Sequence, residues 1–311
     1  MPAVTVIIPA YQAAGFLEET VGSVLRQTDA DWEILIIDDG STDGTGDIAE
    51  ALAQAHPDRI FAFRRKNAGQ GAARNFGVKH ARGQFLAFLD ADDLWEPEKL
   101  AIQRKVLEGD GELALVCSDV LSVDESGRNG FAMMQFKKPR SGRVFGDLLQ
   151  ENFISIPTTL VRKSAFLEVG GFSEDREIGV EDYHLWLKIA RHHPVAYRAE
   201  ILAKYRIHGN SFSSRKLPML QKALAVLDKV VQEDPAIATE YPQDLAKGKA
   251  RIHFEMGYHL LQSGEFAEAR KCMAASFRSA PGHRPAWKEW LILALAPKGL
   301  LRWRNRRNGG A

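Results

Sequence analysis

Four short runs, VTVIIP from residue 4, EILIID from 33, RIFAFR from 59 and QFLAFLD from 84, are apolar at almost every position, not at every second one. Strands read this way when both of their faces are covered, as in a parallel sheet packed between helices. The stretches between them are helix-like. FLEETVGSVLRQT places Leu17, Val21, Val24 and Leu25 on one face. GTGDIAEALAQAH follows the cap-type residues Ser41, Thr42 and Asp43 and stops before Pro57. GAARNFGVKHA follows a glycine-rich turn, Pro97 suits the first turn of PEKLAIQRKVLE, and ELALVCSDV at 112 reads as a fifth strand. Alternation at this spacing implies βαβ units and an α/β fold with a doubly wound, mostly parallel, Rossmann-like sheet. Ligands of such sheets sit beyond the carboxyl ends of the strands. The polar residues gather at those ends, as Pro9-Ala10-Tyr11, Asp38-Asp39, Arg64-Arg65 and Asp90-Ala91-Asp92-Asp93.

From about residue 125 the pattern changes. ESGRNGFAMMQFKKPRSGR is mixed, glycine-containing and basic, the composition of a loop or flap. A helix (VFGDLLQEN), a strand (SIPTTLVR), a short helix ending at Gly170-Gly171, a helix (VEDYHLWLKIARHH) and a β-rich piece (AYRAEILAKYRIHGNS) follow. Beyond that the chain reads as helical, which sets a boundary between residues 1–215 and 216–311. Within the second part, HFEMGYHLLQSGEFAEARKCMAASFRSAP resembles one tetratricopeptide unit, with Gly257, Leu260, Gly264, Ala269, Met273 and Pro281 at suitable spacings. An ordinary helical extension is the alternative. The tail mixes Trp287, Trp290 and Trp303 with Arg302, Arg304, Arg306 and Arg307. That combination suits peripheral contact with the inner face of a membrane, or equally a solvated basic end.

Composition limits the classes of function. With 41 Lys+Arg against 40 Asp+Glu the net charge is +1, so the whole chain gives no reason to expect nucleic acid as a partner. The two cysteines, Cys117 and Cys272, lie in no metal-ligand spacing and read as packed thiols in a reducing compartment. The apolar run of MPAVTVIIPAYQ is short and breaks at Pro9, which reads as a strand and not as a signal peptide. LILALA near 293 is too short to span a bilayer. The expectation is a soluble, cytoplasmic protein.

Asp90, Asp92 and Asp93 crowd one strand end, where carboxylates repel one another. A solvated loop with a nearby helix cap is one account. A hard-cation site is another, since Mg²⁺ or Mn²⁺ prefers carboxylate oxygens and bridges them to phosphates. An aspartate nucleophile of a phosphotransferase is a third.

The order IIPAYQ, LIIDDGSTDGT, NAGQGAARNFG, FLDADDLW at successive strand ends resembles the family 2 glycosyltransferases, over roughly residues 3 to 215. The resemblance implies the nucleotide-diphospho-sugar transferase fold. It also implies transfer of a sugar from a nucleotide sugar, UDP being the expected carrier, with inversion at the anomeric carbon. Pro9, Ala10 and Tyr11 match the turn on which the donor's base rests, and Tyr11 offers a ring for stacking. Asp39, with Asp38 beside it, matches the acid that binds the base; both also suit capping with Ser41 and Thr42. Arg74 matches an arginine near the ribose or phosphate. Asp90 falls near the ribose and the metal, Asp92 matches the metal ligand that bridges the diphosphate, and Asp93 is supporting. His208 in YRIHGNS matches a late segment that contacts metal or phosphate, with Arg206 and Ser211 as further phosphate contacts.

Removal of the acceptor's proton needs a general base. The resemblance points to the acidic pair of GVEDYHLW, with Asp182 as base and Glu181 contacting the acceptor or orienting a neighbour. Acids at a helix N-terminus are also favoured by its dipole. The processive synthases of the family carry a Gln-x-x-Arg-Trp motif and transmembrane helices. Neither is found here, which implies a non-processive enzyme acting on a glycan or lipid-linked acceptor in cell-surface polysaccharide, lipopolysaccharide or glycolipid assembly. Two alternatives stand beside it. One is a phosphotransferase using LDADD, although such an enzyme wants its nucleophile strand early in the domain. The other is a non-catalytic binding or scaffold protein with a degenerate transferase domain, against which every acid of the pattern is retained.

Overall fold

The computed structural model describes residues 1–128, 130–209 and 215–282. Its strands are β1 (Val4–Ala10), β2 (Trp32–Asp38), β3 (Ile60–Arg64), β4 (Phe85–Phe88), β5 (Leu94–Trp95), β6 (Leu115–Val123), β7 (Phe131–Ala132), β8 (Leu160–Arg162) and β9 (Val195–Arg206). Its helices are α1 (Leu17–Leu25), α2 (Thr45–Ala55), α3 (Gln70–His80), α4 (Lys99–Gly109), α5 (Phe145–Gln150), α6 (Lys163–Glu168), α7 (Glu181–His192), α8 (Lys216–Glu233), α9 (Ile237–Glu240), α10 (Pro242–Gln262) and α11 (Phe266–Ser279). The chain divides into two compact units. One comprises Met1–Phe145, Asn152–Arg176 and Glu181–Ser211, the other Gly146–Glu151, Glu177–Val180 and Phe212–Ala311.

The first unit is built on a nine-stranded sheet in the order β3-β2-β1-β4-β8-β6-β9-β5, with β7 on β6. The four apolar runs form its parallel half, β3-β2-β1-β4. Every residue of β1, β2 and β4 is buried, which is why none alternates in sequence. The other half is mixed. β8 pairs antiparallel with both β4 and β6, and the long β9 runs parallel to β6 through two register shifts. Asp38-Asp39 ends β2, Tyr11 follows β1 and Asp90 follows β4. β1 has β2 on one side and β4 on the other, so the ends of β1 and β4 flank the point where strand order reverses, the place a crevice opens in sheets of this kind. The flap-like stretch contributes β7 and a 3-10 turn, Met133–Phe136. Cys117 is fully buried in β6, and that burial pushes its thiol up to about 12.

In the second unit α10 and α11 form a hairpin that turns at Gly264, whose φ of +82° is a left-handed conformation that glycine adopts without strain. Leu260, Leu261, Ala269 and Met273 make its core, with Phe254, Phe266, Cys272 and Leu217 packed on it. Gly257 lets the two helices close: a Cβ there would lie 3.0 Å from Met273 Cε and 3.2 Å from the Ala269 carbonyl oxygen. Ser276 Oγ donates to the Ala250 carbonyl at 2.6 Å across the same interface. No helix among the described residues is long and apolar enough to cross a membrane. The tryptophan- and arginine-containing tail, like Ser211, lies outside the described residues.

Candidate active site

Two loops at the carboxyl edge are stitched together. Gln12, just after β1, has φ +52°, uncommon for a residue other than glycine. Its amide group exchanges hydrogen bonds with Thr42, and its N–H donates to Ser41 Oγ at 3.1 Å. Asp43 and Thr45 hold Ala14 N–H and Ala13 N–H from the other side. This bracing leaves Tyr11 55% exposed, a ring face at the rim with room for a stacked partner. Pro9 and Ala10 remain in β1 beneath it.

The acids after β2 shape this rim. Asp38 is buried and accepts from Ser41 N–H at 2.9 Å. Asp39 is buried too. It accepts Gly69 N–H at 2.7 Å and Ala68 N–H at 3.1 Å, with Arg65 Nε 3.3 Å away. Asp39 therefore ties the end of β2 to the turn Asn67-Ala68-Gly69 that opens α3. The N-cap of α2 is Gly44, at φ +92°, which has no side chain to cap with, and Asp43 Oδ1 instead accepts Thr45 N–H at 3.1 Å. The expected capping role thus takes another form, with Asp38 ordering the loop backbone and Asp43 receiving Thr45 Oγ1 at 2.5 Å.

Arg74, one turn into α3, is 1% exposed. Its Nη2 meets Asp90 Oδ1 at 2.6 Å and its Nη1 meets Glu181 Oε1 at 2.5 Å. Burial works against its charge, but Asp90 and Glu181 outweigh burial and raise its pKa. One guanidinium thus joins the end of β4 to the first turn of α7. Among the described residues Arg74 Nε has no hydrogen-bond partner.

Beside Glu181, Asp182 accepts its own helix's Tyr183 N–H at 2.7 Å. Burial first, then the negative charge of Glu181, pushes its carboxyl up to about 7, against the opposing pull of Arg74. A carboxyl balanced near neutrality is suited to taking up a proton and giving it back.

The turn after β4 is held from behind. Thr20 Oγ1 donates to the Ala91 and Asp93 carbonyls at 2.8 and 2.9 Å. Asp93 is fully buried and accepts Arg206 N–H at 2.9 Å, while its Oδ2 has no partner among the described residues. Burial, then Asp92 and Asp90, raise Asp93 well above the usual carboxylate range. Asp92 Oδ2 lies 2.8 Å from His208 Nε2. Burial and Asp90 raise Asp92, and His208 pulls it back down. The His208 ring stacks on Phe16, centroids 5.1 Å apart.

Arg206 differs from the sequence expectation of a phosphate contact. It is 3% exposed, and its guanidinium reaches the Asp92 carbonyl at 2.8 Å, the Glu125 carbonyl at 2.6 Å and Glu19 at 2.7 Å. A guanidinium spent on three protein acceptors is a brace for the acidic turn. Sequence reasoning also missed Thr20, Glu19 and Phe16, which carry no local signal because each acts across more than 70 positions of chain.

Among the described residues no group of three or more His, Cys, Asp or Glu side chains is gathered closely enough to hold a metal ion. Asp90 is paired with Arg74, and Asp92 with His208. The chemistry of that pair still fits a hard divalent cation. It offers a carboxylate and an imidazole edge, and the neighbouring carboxylates that, after burial, raise Asp92 and Asp93 are an excess of negative charge that a cation relieves.

The model of the family described as "Glycosyl transferase family 2" matches residues 5–170. An uncharacterized glycosyltransferase of Rickettsia felis is 35% identical over 246 residues, 77% of this chain and 38% of its own. A putative teichuronic acid biosynthesis glycosyltransferase, TuaG, of Bacillus subtilis is 30% identical over 231 residues, 74% of this chain and 88% of its own. The chain spans little more than a third of that Rickettsia relative's length. Among solved structures, TarS 1-349 of S. aureus in complex with UDP-GlcNAc superposes with a TM-score of 0.65 at 18% identity, covering 90% of this chain and 82% of its own. The mannosyltransferase PcManGT of Pyrobaculum calidifontis, in complex with GDP-Man and Mn²⁺, superposes with a TM-score of 0.64 at 22% identity, covering 98% and 83%. At these identities the superpositions show a shared fold.

Proposed function

The chain belongs to glycosyl transferase family 2, and from that premise we propose that it is an inverting, metal-dependent, non-processive glycosyltransferase. Its donor is a nucleoside-diphosphate sugar, UDP being the first carrier to test, and its acceptor is a hydroxyl of a glycan or lipid-linked glycan. The observation that carries this reading is the chain of charges Asp90–Arg74–Glu181 ending beside an Asp182 balanced near neutrality. It supports Asp182 as a base acting near the strand end where the donor phosphates of such folds lie.

Tyr11 supplies a stacking face for the nucleobase, with Pro9 and Ala10 supporting it, and Asp38 and Asp39 fix the loops around it. Arg74 holds Asp90 in place near the ribose and keeps the two halves of the site in register. Asp182 takes the proton from the acceptor hydroxyl, whose oxygen forms the new bond to the anomeric carbon. The bond from that carbon to the diphosphate oxygen breaks on the opposite face, and the diphosphate leaves with the electron pair. Asp92 and His208, with Asp90 nearby, would hold Mn²⁺ or Mg²⁺, which supplies charge neutralisation to the departing diphosphate. Asp93 and Arg206 keep that pair aligned.

UDP-GlcNAc in one structural neighbour and GDP-Man with Mn²⁺ in another support a nucleotide-sugar donor and leave the base to experiment. The teichuronic acid relative supports a place in cell-surface polysaccharide assembly. The catalytic part is residues 1–215, and 216–311 form a tetratricopeptide-like extension whose tail makes peripheral membrane contact. The phosphotransferase alternative loses ground because the family 2 glycosyl transferase model matches residues 5–170, which include the LDADD segment.

Melting curves of the full chain with UDP, GDP and their sugars, with and without Mn²⁺, test the assignment. A ligand of the native state raises Tm by mass action. One nucleotide should shift Tm, more so with Mn²⁺, and Asp92→Ala should abolish the metal increment. A folded protein that no nucleotide stabilises would remove the donor site.

A further inference from the structure

The NAGQGAARN motif lies where two parts of the site meet, and nucleotide binding accounts for only part of it. Its first turn, Asn67-Ala68-Gly69, is held from inside by Asp39 through Ala68 N–H and Gly69 N–H. The carbonyls of that turn are taken by Arg176. Its Nη2 donates to Asn67 O and Asn67 Oδ1, both at 2.8 Å, and its Nε donates to Ala68 O at 3.1 Å. Asn75, further along α3, grips the other end of the same incoming segment. Its Oδ1 accepts Phe172 N–H at 3.1 Å, and its Nδ2 donates to the Phe172 carbonyl at 2.9 Å and to Glu174 Oε1 at 3.0 Å. Between these grips Gly71 allows backbone contact. A Cβ there would run into the Ser173 carbonyl oxygen and come within 3.4 Å of Glu181 Cγ.

Residues 172–176 are therefore fastened at both ends to α3 and its leading turn, and the chain enters α7 five residues after Arg176. We propose that Arg176 and Asn75 are positioning residues for the transfer step: their clasp fixes the start of α7, and with it Asp182, against the turn that Asp39 anchors. The inference rests on the transferase reading for Asp182. Neither residue is among the donor contacts assigned above. Their effect is on the reach of the base, and near-attack geometry is sensitive to displacements of an ångström.

The test uses the full chain with Arg176→Ala, Arg176→Lys and Asn75→Ala. Arg176 is exposed, so its truncation leaves the core intact. Hydrogen exchange at residues 172–186 should speed up in Arg176→Ala while exchange in β1, β2 and β4 stays unchanged. Transfer kcat should fall about tenfold to a hundredfold. The Kd for UDP or GDP with Mn²⁺ should stay within about twofold, the signature of an interaction needed only in the transition state. Arg176→Lys should recover part of kcat, and Asn75→Ala should reproduce the pattern. Unchanged exchange and kcat would overturn the proposal. So would a loss of nucleotide affinity equal to the loss of kcat, or faster exchange throughout the sheet. The exchange experiment needs no ligand, so it judges the clasp even where nucleotide binding and the transferase reading fail.

Discussion

Replacing Asp182 by Asn should stabilise the protein while abolishing transfer, and the size of the gain is set by the site. Burial and Glu181 hold this carboxyl at about 7 against an ordinary value of 3.8. Between those values the folded chain binds the proton and the unfolded chain does not, so stability falls as pH rises through this window, and the penalty is complete above about pH 7. At about 1.4 kcal/mol per tenfold change in proton affinity, the gap is worth a ceiling of about 4 kcal/mol. The side chain keeps some contact with water, and an amide retains an oxygen to accept Tyr183 N–H, so about 2 kcal/mol is the reasonable gain above pH 7. For a unit of this size that is a rise of about 4–8 °C in Tm. Melting both proteins at pH 4.5, 6, 7 and 8.5 reads the difference directly. The advantage should be small at pH 4.5, grow through pH 6 and level off above 7. A difference that ignores pH, or an Asn variant that melts lower at pH 8.5, would mean that Asp182 is not held as a strained base.

The same network makes two further predictions. Arg74→Met leaves Asp90 and Glu181 facing each other without their shared cation, and a buried pair broken on one side costs about 3–5 kcal/mol, measurable by urea denaturation. It also removes the one charge that lowers Asp182, so the acid limb of the pH profile of kcat/KM should move up from about 7. Gly71→Ala forces a methyl into the Ser173 carbonyl and should cost about 1–3 kcal/mol, with kcat falling more than nucleotide affinity in single-turnover and titration experiments.

Continuous apolar runs made β1, β2, β4 and β6 legible, because a strand covered on both faces has a composition that a half-buried strand lacks; β3 was found by the same kind of run, yet at the sheet edge only Ile60 of it is buried. Helical periodicity did the same for α1, and cap-type residues, a glycine-rich turn and Pro97 marked the starts of α2, α3 and α4. In the mixed half β6, β8 and β9 were read as strands or β-rich segments, but their pairing was not legible. β5 is two residues long, and β8 lodges antiparallel between β4 and β6, a choice made by edge pairing and not by any local pattern. At the site, the residue types at the strand ends were readable and their directions were not. Asp39 turns out to hold two backbone amides of a turn thirty residues on, and Arg206 points inward to Glu19, 187 positions away. Such partners are chosen by the sheet's closure, so a sequence can suggest that an arginine is near phosphate and still miss that the acidic turn has already claimed it.

The distribution of charge explains why five neighbouring acids need not share one task. Arg74 compensates Asp90 and Glu181 and fixes both. Arg206 pairs with Glu19 and gives the Asp92-Asp93 turn its backbone N–H and a bond to the Asp92 carbonyl, and its charge lowers Asp93 without overcoming burial. In two places, Asp92 with Asp93 and Asp182, burial first and then neighbouring carboxylates push carboxyls upward. The two places differ in what relieves them. At Asp182 a proton does so, and gaining one from an acceptor hydroxyl is the work of a base. At Asp92 the neighbour is an imidazole and the crowding is carboxylate on carboxylate, which a divalent cation relieves better than a single proton. On this account, adding Mn²⁺ to the nucleotide-bound protein should alter the titration of Asp92 and leave that of Asp182 nearly untouched.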